Sequence, residues 1–159
     1  MPKEPKDMSD PEILNRIIRL GFAGDRTLYQ TFCDQLKAGL PENTCVALRG
    51  SVVTDERYED GKPFDADGKG TSDLDVTLIG SQVMEFWDED EFYIPKLHTK
   101  PLSDKTPGIA PRLDPLRVKL QQLVKRPVNF QATANLILFA REVLMDQPYY
   151  VIIEAVENQ

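Results

Sequence analysis

The chain has 159 residues, 41% apolar and 28% charged, a globular balance at a length suited to one domain. Its 19 Lys and Arg stand against 26 Asp and Glu, and the net charge of −7 excludes a protein that works mainly by coating phosphate backbones, so nucleic acid is not expected as main partner. No apolar run nears the roughly 18 residues of a membrane span, and the opening MPKEPKDMSDPE lacks the apolar stretch of a secretory signal, so the expected setting is cytoplasmic with no membrane partner.

Residues 1–10 read as a disordered lead and 11–159 as a single domain. Apolar residues at 13, 14, 17, 18 and 20 predict a helix, with Ser9 or Asp10 as N-cap and Gly21 as stop. Leu28, Phe32 and Leu36 predict a second helix over 25–38, ended by Gly39 and Pro41. TCVALR at 44–49 is a short strand running into Gly50-Ser51. Residues 52–72 are polar, with Gly61, Pro63, Gly68 and Gly70 as turn punctuation, and read as a loop able to act as a mobile flap.

LDVTLI at 74–79 is the clearest strand, with Leu74, Val76 and Leu78 on one face and Asp73, Asp75 and Thr77 on the other. A helical turn over 82–86 leads to the acidic DEDE of 88–91, read as a solvated face, and then to a Pro-rich ordered loop. Helix 113–124, strand 127–131, helix 135–145 and strand 149–155 complete the chain. The fold class is therefore α/β (α+β): a small mixed β-sheet packed by helices, two of them at the N-terminus.

Some chemistries are excluded by residue count. Cys33 and Cys45 match no zinc or redox spacing and read as apolar cysteines of a reducing compartment. His98 is the only histidine, which excludes a His-rich metal site and a Ser-His-Asp triad built on any other. It reads as a surface or hydrogen-bonding residue. Asp65-Ala66-Asp67-Gly68 reads as an Asp-Gly turn, because Pro63 and Leu74 stand where a calcium loop needs ligands. Arg49, Arg112, Arg117 and Arg126 are candidates for phosphate contact or for ion pairs.

One constellation carries chemistry. Asp73 and Asp75, two apart on a strand, share a face about 7 Å apart at the backbone, so their oxygens can converge on one hard cation. With substrate phosphates they suit Mg²⁺. Gly50 removes a side chain where backbone meets phosphate, and Ser51 adds a hydroxyl donor.

This pairing, VALRGS at 46–51 and SDLDVTLIG at 72–80, resembles the polymerase-β-like nucleotidyltransferase superfamily, in particular its minimal bacterial members. The likeness extends over RPVNFQATANLILFAREVLMDQPYYVI at 126–152, where FAREVL at 139–144 is similar to the family's helix after its third catalytic strand. The resemblance implies a nucleotidyltransferase fold and Mg²⁺-dependent transfer of a nucleoside monophosphate, AMP from ATP, to an unidentified acceptor. It implies Asp73 and Asp75 as metal ligands and, with Asn129, as catalytic residues. Arg49, Gly50, Ser51 and Ser72 are the implied nucleotide-binding set. Its implied partners are a nucleoside triphosphate and a protein acceptor or toxin–antitoxin partner.

Two departures stand out. The 21 residues between Ser51 and Asp73 exceed the usual spacing, and Asn129 stands where the family's third carboxylate is expected. An amide cannot act as a base, so the alternative is a catalytically weak or inactive nucleotide-binding or interaction module derived from this fold. Glu154 is the remaining candidate for a substitute carboxylate.

Overall fold

The computed structural model describes residues 2–154. A 3-10 turn at Pro5–Asp7 precedes helix α1 (Asp10–Gly21), which Ser9 opens through a capping box with Glu12. Arg16 of α1 is buried and donates to the Lys3 and Val53 carbonyls, tying the lead to the body. Helix α2 (Arg26–Gly39) starts at Asp25, whose carboxylate accepts the Thr27 and Leu28 N–H groups. Both helices thus follow the stripes legible in the sequence, with Ser9 as the expected cap of α1 and Asp25 as a cap rather than the first helical residue.

The other elements are β1 (Cys45–Arg49), α3 (Ser51–Thr54), β2 (Leu74–Ile79), α4 (Ser81–Met84), β3 (Phe92–Ile94), β4 (His98–Thr99), α5 (Asp114–Val124), β5 (Val128–Thr133), α6 (Leu136–Glu142) and β6 (Tyr149–Ile153). The strands form one sheet in the order β3-β4-β5-β2-β1-β6. β2 and β5 run parallel and every other neighbouring pair antiparallel, so the chain is a mixed α/β fold on a six-stranded mixed sheet. The parallel pair needs a long crossover, which residues 80–127 supply through the β3–β4 hairpin and α5. That hairpin and the one-turn α3 are additions to the predicted elements. Strands of three and two residues are too short to show alternation. Among the described residues, no helix is long and apolar enough to cross a membrane.

Strand alternation divides the sheet. Val46, Leu48, Leu74, Val76, Leu78, Val128, Phe130 and Ala132 are all buried and join one core cluster with Ile17 of α1, Phe32 and Leu36 of α2, and Leu120 of α5. The other face carries Ala47, Arg49, Asp75, Thr77, Asn129, Gln131 and Thr133. α6 covers part of that polar face, and its Phe139 and Ala140 form a separate small cluster with Leu144 of the following turn. The Phe139 ring packs edge-on to His98 at 5.4 Å and lies 5.8 Å from the Arg49 guanidinium. His98 is fully buried, with Nδ1 2.9 Å from Thr133 Oγ1. Its role is a hydrogen bond in the core rather than a surface contact.

The segment between α3 and β2, read as a flap, is stitched to the body. Arg126 donates to both Asp65 oxygens at 2.8 and 3.0 Å and to the Ser72 carbonyl at 3.0 Å, and it stacks over the buried Phe64 ring. Burial alone raises the Asp65 carboxyl. The Arg126 bonds and the Ser72 and Gly70 amides outweigh it and leave the group below its ordinary value. Its stabilisation is present above the ordinary carboxylate range and fades as pH falls through the lowered value. Gly70 is required here: its φ is +79°, and a Cβ would lie 2.8 Å from the Lys125 carbonyl oxygen.

Candidate active site

The sheet register builds the site. β1 ends where β2 and β5 begin, and Arg49, Asp75 and Asn129 are register partners across these three strands. Six of the predicted residues, Arg49, Gly50, Ser51, Ser72, Asp73 and Asp75, line one open cleft of about 370 Å³. Asn129 stands beside it and ties the carboxylates together. Its Nδ2 donates to Asp73 Oδ2 at 2.9 Å and to Asp75 Oδ1 at 3.1 Å. The amide N–H groups thus occupy the place between two anions where a cation is favoured.

Desolvation pushes the Asp73 carboxyl above its ordinary value. The Asn129 hydrogen bond opposes that rise, and the Asp75 charge adds to it. Gly50 has φ +82° and ψ −155°, and a Cβ there would sit 3.1 Å from Asp75 Oδ2. The glycine therefore leaves open the space over the Asp75 carboxylate. Gly50→Ala should cost about 1–3 kcal/mol in chemical denaturation, from backbone strain and this close approach. A variant as stable as the parent would show that the turn relaxes freely.

Asp73 and Asp75 are the residues of the cleft that could hold a hard cation together with substrate phosphates. Among the described residues, no group of three or more His, Cys, Asp or Glu side chains could hold a metal. Glu154 is not a substitute: Ile153 pairs with Val46, so Glu154 lies at the opposite end of β1 from the cleft.

The remaining candidates have assignable contacts. Ser72 is engaged with the loop, its Oγ accepting the Asp65 N–H and its own N–H going to Asp65 Oδ1. Arg49 donates to Gln131 Oε1 at 2.8 Å, and burial pulls its guanidinium below its ordinary value against the Asp75 charge. Its buried Nε has no hydrogen-bond partner. Arg117 and Arg126 are bound up in structural ion pairs, and Arg112 lies over the Phe86 ring.

The cleft also contains Arg57, Tyr58, Glu59, Thr71 and Gln147, which sequence reading missed. Four of these lie in the polar 52–72 stretch, where the exposed aromatic Tyr58 was the available signal. Gln147 reaches the cleft only through the turn after α6. Comparison of the chain with protein families, with curated proteins and with solved structures finds no match.

Proposed function

We propose that the cleft binds a nucleoside triphosphate with Mg²⁺ and transfers its nucleoside monophosphate to an acceptor hydroxyl. The observation that carries this reading is the convergence of Asp73, just before β2, and Asp75, on β2, with the Gly50-Ser51 turn at the end of β1. Asp73 and Asp75 would hold the ion, which when bound supplies charge stabilisation at the transferred phosphorus. The glycine lets the backbone approach the phosphates, and Ser51 offers its hydroxyl to them. In the transfer, the acceptor oxygen bonds to the α-phosphorus as its proton passes to water, the bond from that phosphorus to the bridging oxygen breaks, and pyrophosphate leaves.

The second reading is a nucleotide-binding module without transfer. Asn129 favours it, because its amide N–H groups already bridge the carboxylates and it has no basic lone pair to take the acceptor's proton.

A thermal-shift titration tests what both readings share. Mg-ATP at about 100-fold over its Kd should add about 2.7 kcal/mol, and ATP with chelator much less. Asp75→Asn should remove most of that gain while the free protein stays folded. A variant that keeps the full Mg-ATP gain would overturn the assignment. Pyrophosphate release with labelled nucleotide then separates transfer from binding alone.

A further inference from the structure

The cleft has an apolar lip that the catalytic reading leaves unused. Tyr58 is 74% exposed, yet the turn that carries it is firmly held. The Arg57 N–H donates to the Lys62 carbonyl, the Gly61 N–H donates to the Arg57 carbonyl, and the Arg57 guanidinium pairs with Asp60 and Asp67. The ring is thereby presented at a set place on the cleft wall.

At the hydroxyl end of the ring stands Met145, 70% exposed, on the turn after α6 and two residues before Gln147 of the cleft lining. The Tyr58 hydroxyl lies 4.0 Å from Met145 Sδ, so the two lips meet across residues 87 apart in sequence. Met145 and the next residue, Asp146, have φ of +51° and +61°. Two consecutive non-glycine residues in the left-handed region are an uncommon and costly backbone for a turn. Neither Tyr58 nor Met145 belongs to either buried core cluster. A flat ring and a polarizable thioether held in water beside a charged cleft suit a ligand with an anionic end and a flat apolar end. Every nucleobase offers a π-face of that kind.

We propose that Tyr58 and Met145 form the base-binding clasp of the nucleotide site. The nucleobase lies against the Tyr58 ring, Met145 bounds the hydroxyl end of that ring, and the phosphates run toward Gly50 and the carboxylate pair. The inference rests on the nucleotide reading above and adds the residues that tell a nucleotide from a bare polyphosphate.

The test compares Mg-ATP with Mg-tripolyphosphate on the full chain by calorimetry. The parent should bind Mg-ATP more tightly. Tyr58→Ala should weaken Mg-ATP about 5- to 160-fold, the range of one lost base stack, and leave Mg-tripolyphosphate within about two-fold. Tyr58→Phe should keep both, because stacking needs the ring and not the hydroxyl. Tyr58 is exposed, so the melting temperature of the free variants should match the parent. Unchanged Mg-ATP affinity in Tyr58→Ala, or equal loss of both ligands, overturns the clasp. A parent that binds both ligands equally overturns it too but leaves the phosphate and metal site standing. A parent that binds neither ends both readings.

Discussion

Asn129→Asp is expected to make the fold dependent on Mg²⁺ and to raise nucleotidyl transfer by about 10²–10⁴, the range over which a positioned general base acts. The amide now donates one N–H to each carboxylate. Replacing it with a carboxylate loses both hydrogen bonds and sets a third negative charge beside Asp73 and Asp75. Asp73 is already raised by desolvation and by the Asp75 charge, with the Asn129 bond opposing. In the variant that opposition is gone, so a carboxyl of the cluster should hold its proton to higher pH when metal is absent. A carboxyl raised in the folded state favours folding below its unfolded value, and that advantage is lost as pH rises through the raised value. The metal-free variant should therefore melt below the parent near neutral pH and close the gap as pH falls. Added Mg²⁺ should restore the neutral-pH melt, since three carboxylates around a cation attract what they otherwise repel. Melting curves with and without Mg²⁺ at two pH values, and pyrophosphate release, measure both halves. A variant as stable as the parent without metal at neutral pH, and no faster, would place Asn129 outside the metal and acceptor geometry.

Arg117→Ala is expected to lose about 3–5 kcal/mol, the usual consequence of removing one partner from a buried charged network. At this chain length that corresponds to a melting temperature roughly 6–20 °C lower. The Arg117 side chain is 1% exposed. Its Nε donates to Asp114 Oδ1 at 2.8 Å, and Nη1 donates to Asp104 Oδ1, Gln121 Oε1 and the Val128 carbonyl. Truncation leaves a cavity and several acceptors without their donor. Asp104 is 64% exposed, so Asp104→Asn should cost less than about 1 kcal/mol, as surface pairs do. Urea unfolding of the two variants separates the cases. Val128 precedes Asn129 on β5, so loss of Arg117 should also weaken Mg-ATP binding at temperatures where the chain is still folded. Equal costs for both variants would mean that the network is not centred on the guanidinium.

These networks explain how far sequence reading could reach. Arg117 and Arg126 were open between phosphate contact and ion pairing, because a guanidinium in a sequence does not reveal its partner. The partners of Arg126 include Asp65, 61 positions away, the Ser72 carbonyl, 54 away, and the Leu20 carbonyl, 106 away. The 52–72 stretch, composed like a mobile loop, is held by this arginine and by Phe64 beneath it. Composition records that a segment is polar and rich in turns, and not whether a distant charge will hold it.

The sequence by itself determined the longer helices and the alternation of β2. Period 3.6, the cap at Ser9 or Asp10 and the stops at Gly21 and Gly39 placed α1 and α2, because those signals act within one helical turn. Period 2 over Leu74–Ile79 set Asp75 on the face away from the apolar core, because alternation is a property of one extended strand. What only the tertiary structure decided is everything that depends on the register between strands. The β1–β2–β5 pairing aligns Arg49, Asp75 and Asn129, turns the Asn129 amide onto both carboxylates, and sends Glu154 to the far end of the sheet. The turn after α6 brings Met145 to Tyr58 from 87 residues away. Long-range pairing is set by the fit of whole apolar faces against the helices, which no local window of residues contains.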